Sequence, residues 1–455
     1  FVKFERILET CLDAVPFGLE QFNASIKSWA VDKLLIKRKL IQGLNDTLGK
    51  KVRWDEKIRF SEHHLSHAAS AFFPSPFESA AILTMDGVGE YATTSIARGV
   101  GGSIELLEEI HFPHSLGLLY SSITSFLGFK VNSGEYKVMG LAPFGQPVYK
   151  DLLKQELITF LADGDFKLNS KHFSFTRKLA MYEKSFTDLF EGPPRTPEGP
   201  LTRRDVNLAR SIQEVLEDAV LGLVSRARDT TGLDKLCLAG GVALNCAANG
   251  VIQRSKIFDD IWIQPAANDA GGALGAALTS QYVSMGVPRA VRLGDSMEGA
   301  LLGPSFNDEQ IEAVLNEWNI RFLRLTDNQL YDCVARLLSE GNICGWFQGR
   351  MEFGPRALGA RSILADPRDS KMLRRLNAVI KQREAFRPFA PAVLGECQED
   401  WFELKKESPY MLFCTHLKRE KHLIDKPEGD WQKWQEQSLS SDRKSTRLNS
   451  SHANI

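Results

Sequence analysis

The chain has 455 residues, 43% hydrophobic and 25% charged, enough for two or three domains with ample core and ordinary for a globular protein. Its net charge of −1 argues against a chain-wide binder of nucleic acid or acidic membrane, because either partner needs a basic surface. Seven scattered cysteines with no Cys-x-x-Cys pair argue against a structural zinc site or a disulfide framework and fit a reducing cytoplasm. No apolar run approaches the roughly 18 residues of a transmembrane helix, and the N-terminus lacks a signal-peptide core.

The first residues, Phe1 to Leu8, open mid-pattern, as though sequence were missing upstream. Further on, Ser61 is a suitable N-cap, and the stretch to Phe73 holds no Pro or Gly, so a helix opens at His63. His63 and His67 then stand one turn apart on one face. The run Ala80 to Met85, ending in Asp86-Gly87, reads as a buried strand that delivers a carboxylate at its C-terminal end, where α/β sheets place ligands. Two imidazoles and a carboxylate with open positions suit Fe(II) or another divalent transition metal such as Zn better than Ca or Mg. A helix with surface histidines is the plainer reading. Three histidines at 63, 64 and 67, out of nine in the chain, tilt the balance toward a site.

Tyr91 to Ala97 and Ser103 to Ile110, each bounded by Gly turns, continue this strand as an antiparallel meander. Ser115 to Leu127 is a helix capped by Ser115 and stopped by Gly128. Asn132 to Gly145 mixes three glycines and a proline with Glu135 and Lys137, the pattern of a loop that approaches a ligand closely, with Gly134 and Lys137 as binding candidates. Residues 147–200 carry little signal. Asp205 to Arg228 is a long amphipathic helix.

Lys235 to Ala239 is a short strand, Gly240-Gly241 a tight turn and Val242 to Gln253 a helix, an order that sets backbone N–H groups at a helix start, where phosphate binds. Close helix–strand packing explains the glycine pair equally well. Ile261 to Ile263 repeats the arrangement and leads into a small-residue helix from Asp269. That residue serves as a cap or as a second metal carboxylate.

The character changes near Gly303. Helices at 307–318 and 327–340 lead into a strand, Asn342 to Phe347. Between Gly349 and Arg387 ten Lys and Arg face four Asp and Glu, a net of +6 that calls for an anion. Arg350, Arg356 and Arg361 are interleaved with Gly and apolar residues, and Lys381 to Pro391 repeats the theme with Arg387. Arginine suits bidentate phosphate recognition, and stacking aromatics are too sparse to favour nucleic acid.

Five stretches taken jointly, His63 to Ala68, Met85 to Gly87, Gly134 to Ala142, Leu238 to Asn245, and Gly349 to Leu364 with Lys381 to Pro391, resemble the O-carbamoyltransferase family of nodulation-protein and antibiotic-tailoring enzymes. The likeness covers about residues 1–415. It implies an α/β fold in two units. Residues 1–303 resemble the actin-like ATPase (ASKHA, ribonuclease H-like) domain of tRNA threonylcarbamoyl transferases, with its first part missing. Residues 304–440 resemble a truncated YrdC-like domain, and 441–455 read as a foreign, disordered tail.

The same resemblance implies an iron-type site on His63, His67, Asp86 and Asp269, with Arg356, Lys381 and Arg387 neutralising phosphate. Gly240, Gly241 and Asn245 would hold the nucleotide. Carbamoyl phosphate and ATP would form carbamoyl adenylate in the second unit, and the first would pass the carbamoyl group to the hydroxyl of a small molecule such as a sugar or a macrolide-like compound. No nucleic-acid or membrane partner is expected, and a homodimer is left open. A tRNA threonylcarbamoyl transferase shares the first unit but usually lacks the Arg-rich one. A hydrogenase-maturation carbamoyltransferase carries both in reverse order, and a nucleotide-binding remnant would bind ATP without turnover.

Overall fold

The computed structural model describes residues 2–421, apart from 14, 16, 17, 55, 198, 293, 295 and 370, together with Ala453 and Asn454. Three helices open the chain, α1 (Val2–Asp13), α2 (Leu19–Ser28) and α3 (Ile36–Leu48). Next comes α4 (His63–Phe72), which begins where the histidine spacing predicts. Its N-cap is Glu62 rather than Ser61, and the first amide, that of His63, is satisfied at 3.0 Å by the Glu90 carboxylate from a distant loop.

The meander follows as expected: β1 (Ser79–Met85), β2 (Ala92–Val100) and β3 (Ser103–His111). Ser115 caps α5 (Leu116–Phe126) by accepting the Leu118 amide. The segment expected to be a loop is instead α6 (Glu135–Leu141), followed by a 3-10 turn at Ala142–Phe144. The Glu135 carboxylate accepts the amides of Asn132 and Gly134, which fixes the turn that leads into the helix and offsets the glycine content.

Residues 147–200 contain α7 (Lys150–Glu156), a hairpin of β4 (Ile158–Phe160) and β5 (Phe166–Leu168), and the short α8 (Ser185–Leu189). The long helix α9 (Arg203–Thr231) starts two residues before the expected Asp205, because Thr202 and Asp205 form a reciprocal capping box. Then come β6 (Lys235–Ala239), α10 (Cys246–Ser255), β7 (Asp260–Ile263) and α11 (Asp269–Leu278). A 3-10 turn at Gly241–Leu244 takes in the second glycine and precedes α10, which begins at Cys246 and not at the expected Val242.

Five strands form one sheet in the order β3-β2-β1-β6-β7, antiparallel among the first three and parallel from β1 to β7. Helices cover both faces. Neighbouring side chains on a strand point to opposite faces, and on β2 the site of a Gly99 Cβ meets Phe72 of α4, whereas Arg98 reaches the Thr231 carbonyl at the end of α9. Phe72, Leu83, Ile82, Leu216 and Leu223 are buried in this core, each worth about 1.5–3 kcal/mol of apolar transfer.

Beyond Gly303 lie α12 (Asp308–Glu317), α13 (Asp327–Ser339) and an antiparallel hairpin of β8 (Ile343–Phe347) and β9 (Arg361–Ala365). The segment around Phe386 packs into the main core against Phe144. Of the stretch 441–455, only Ala453 and Asn454 fall among the described residues, set beside Cys414 and Thr415. Among the described residues, no helix is long and apolar enough to cross a membrane.

Candidate metal centre and flanking cation surface

His63 and His67 project from the first turns of α4 toward the end of β1, where Asp86 emerges. The His63 Nε2 lies 2.8 Å from Asp86 Oδ2 and 3.1 Å from His67 Nε2, and His67 Nε2 is 3.4 Å from Asp86 Oδ2. Asp269, the first residue of α11, brings Oδ1 to 3.6 Å from His63 Nε2 and 3.5 Å from His67 Nε2. Asn268 makes no side-chain cap at that helix, and the Asp269 carboxylate faces the histidines.

Backbone packing sets these positions. A Cβ on Gly240, where φ is +89°, would stand 2.1 Å from the Met85 carbonyl oxygen, so the turn after β6 lies directly on the end of β1. From there the Gly241 N–H donates to Asp86 Oδ1 at 3.1 Å, leaving Oδ2 to the histidines. On the other side, Gly117 presses on the Asp86 carbonyl, and the Ser115 hydroxyl donates to the Gly87 carbonyl at 2.7 Å.

Burial alone would lower His67, yet hydrogen bonds with Asp269 and Asp86 hold its imidazole up at about 9. Burial would raise the Asp86 carboxyl, but His63 and His67 keep it well below the usual carboxylate range. Neighbouring His64 goes the opposite way, pushed down to about 3 by burial and by His63 and His67.

This donor set fits a divalent transition metal. Bonds of about 2.0–2.2 Å place adjacent ligand atoms about 2.8–3.6 Å apart around a tetrahedral or octahedral ion; the His–His and His–carboxylate distances here run from 2.8 to 3.6 Å, and all four donor atoms lie within 4.8 Å of one another. His67 is fully buried while the Asp269 side chain is 80% exposed, so the cluster is walled on one side and open on the other. An open side is what separates a reactive site from a structural one.

The predicted anion-binding residues fall into three settings. Lys137 on α6 pairs with Glu384 at 2.5 Å, and Glu384 also lies 3.7 Å from Arg387, whose guanidinium stacks over Tyr136 at 4.4 Å. Arg356 donates to the Leu244 carbonyl at 3.2 Å, which sets it beside the glycine turn. Lys381 is exposed. Arg350 caps the carbonyls of Leu302 and Gly303, and Arg361 is held at 2.7 Å by buried Glu352.

Two other predicted positions are occupied by internal contacts. A Cβ on Gly134 would strike the Lys130 carbonyl at 2.6 Å. The Asn245 amide exchanges two 3.0 Å hydrogen bonds with Gln213 and caps α10 through the Ala248 amide. Sequence reasoning missed Glu352 and Glu384, counting them only as charge. Their signal was an acid lodged inside each of the two Arg-rich runs.

Residues 2–278 match the family described as Carbamoyltransferase N-terminus, and residues 335–441 the one described as Carbamoyltransferase C-terminus. The chain belongs to the carbamoyltransferase family. Among curated relatives, this carbamoyltransferase-family chain is 52% identical over 431 residues to an uncharacterized protein of Synechocystis sp., covering 94% of the chain and 70% of the relative. It is 41% identical to nodulation protein NolNO of Sinorhizobium fredii, over 81% of the chain and 52% of the relative. With nodulation protein NolO of Bradyrhizobium diazoefficiens the identity is 39%, over 79% of the chain and 63% of the relative. The chain therefore spans between about half and 70% of the length of these relatives.

Proposed function

We propose that this chain carries out ATP-dependent O-carbamoyl transfer, taking the carbamoyl group of carbamoyl phosphate through carbamoyl adenylate to the hydroxyl of a small-molecule acceptor. The observation that carries the reading is the His63–His67–Asp86–Asp269 cluster, with an open side, in a chain of this family.

The work divides between two units, an actin-like unit over residues 1–303 and a YrdC-like unit over 304–440. The sheet order β3-β2-β1-β6-β7 supports the first assignment, and the separate family matches on either side of residues 279–334 support the division. Arg356, Lys381 and Arg387 neutralise phosphate charge as water cleaves phosphate from carbamoyl phosphate and the resulting carbamate displaces pyrophosphate from ATP; the acceptor hydroxyl later displaces AMP from the adenylate and loses its proton. Lys137 moves from Glu384 onto the incoming anion, with Arg350 and Arg361 holding the surrounding loop. Gly134, Gly240, Gly241 and Asn245 shape the backbone against which the nucleotide rests.

His63, His67, Asp86 and Asp269 would hold a divalent transition metal, Fe(II) by family likeness, which would supply Lewis acidity toward a carbonyl oxygen. Gly241 orients the Asp86 carboxylate for this role, and the buried face of α4 fixes both imidazoles. The exposed flank at Asp269 admits the acceptor. A cytoplasmic setting suits both ATP and carbamoyl phosphate.

Pyrophosphate release from ATP, measured with and without carbamoyl phosphate and with no acceptor, tests the reading. Release that requires carbamoyl phosphate supports it. Absence of release, or release that requires threonine and bicarbonate, overturns it.

A further inference from the structure

We infer that Cys246 and Cys414 are a peroxide-sensitive pair that closes reversibly into a disulfide, fastening the start of α10 to the chain segment that crosses it. Their Sγ atoms lie 3.3 Å apart although 168 residues separate them in sequence. Both side chains are buried.

The segment carrying Cys414 is held in place by its backbone. Asn249 donates to the Leu412 carbonyl at 2.9 Å, Arg254 donates to the Cys414 carbonyl at 3.2 Å, and a Cβ on Gly250 would stand 2.0 Å from that oxygen. These contacts hold the backbone that carries Cys414 against α10. At 3.3 Å the two sulfurs are in contact but well beyond the roughly 2.05 Å of a disulfide bond, so this juxtaposition belongs to the reduced protein.

Burial usually makes a thiol inert, and Cys237, equally buried, is pushed up to about 12. Cys246 behaves differently. Cys414 donates toward it, which lowers its thiol against the burial that raises it, the Arg356 guanidinium lowers it further, and the Cys414 thiol is pushed up in turn. A low thiol with a second thiol in contact is the arrangement of an attacking and a resolving cysteine.

The chemistry balances with hydrogen peroxide as oxidant. The Cys246 thiolate attacks one peroxide oxygen and breaks the O–O bond, leaving a sulfenic acid, while the departing hydroxide takes up a proton as water. The Cys414 sulfur then displaces the sulfenic oxygen, which leaves as a second water with the Cys414 proton. Two thiols are oxidised, one peroxide is reduced, and a small thiol reductant reverses the bond.

Peptide mapping of the full chain after graded peroxide treatment, under non-reducing conditions, tests this. The expected result is a cross-link between the Cys246 and Cys414 peptides that dithiothreitol removes, with Cys237 unmodified. In Cys414→Ser the cross-link is absent, and dimedone labelling of Cys246 rises severalfold over the parent protein. If Cys246 and Cys414 stay unmodified at doses that oxidise Cys11, Cys333, Cys344 or Cys397, or if Cys246 pairs with another cysteine, the inference fails.

Discussion

Gly275 lies so close to Ser66 that a Cβ there would stand 1.7 Å from the Ser66 carbonyl oxygen. This approach lets α11 cross α4 backbone to backbone, and it is what carries Asp269 to the two histidines. Replacing Gly275 with Ala should force the helices apart, costing about 1–3 kcal/mol of stability and lowering bound metal although no ligand changes. Gly272→Ala, where nothing lies within 4 Å, should leave the metal content intact and the melting temperature equal or higher. Thermal unfolding and elemental analysis of the two variants check this pair of outcomes.

Buried Glu352 accepts the amides of Leu358, Ala360 and Arg361 as well as the Arg361 guanidinium, and so closes the loop that presents Arg356. Burial would raise its carboxyl, but Arg361 and these amides hold it down at about 2, against an ordinary 4.5. A depressed carboxyl stabilises the fold above its unfolded value and loses that contribution as pH falls toward the folded one. Hydrogen-exchange protection of the Leu358 and Ala360 amides should therefore hold at neutral pH and decline between about pH 4.5 and 2. In Glu352→Ala that protection should be lost at all pH values.

Lys137 and Glu384 join α6 to the Arg-rich segment across 247 residues of sequence. Burial would raise the Glu384 carboxyl, and Lys137 lowers it. Lys137→Met should destabilise the protein by about 1–3 kcal/mol, because it leaves the half-buried Glu384 carboxylate with only the more distant Arg387, at 3.7 Å. If Lys137 also meets the substrate anion, KM for carbamoyl phosphate rises more than kcat falls. Denaturant melts and steady-state kinetics separate the two effects.

Much of the cluster was legible because two short-range rules sufficed. The four-residue spacing of His63 and His67 needs only helical geometry, and an apolar run ending in Asp86 needs only strand burial. Asp269 could be proposed from its place at a helix start, but nothing local tells whether Gly275 marks a close crossing or a weak helix. The segment around Lys137 differs from the expected loop because Gly134 is itself the N-cap of the helix and the Glu135 carboxylate ties down the turn before it. Net charge exposed the Arg-rich surface yet could not say which cations are already paired. Those pairings are tertiary, and Glu384 finds its lysine on the far side of the sheet's own sequence.

If His63, His67, Asp86 and Asp269 hold a metal that serves transfer and not adenylate formation, His67→Ala loses bound metal and carbamoyl transfer while pyrophosphate release that depends on carbamoyl phosphate persists. Elemental analysis of His67→Ala, run beside assays of pyrophosphate release and of carbamoyl transfer to an acceptor, decides this. Stoichiometric metal in the His67→Ala protein rules the ligand set out.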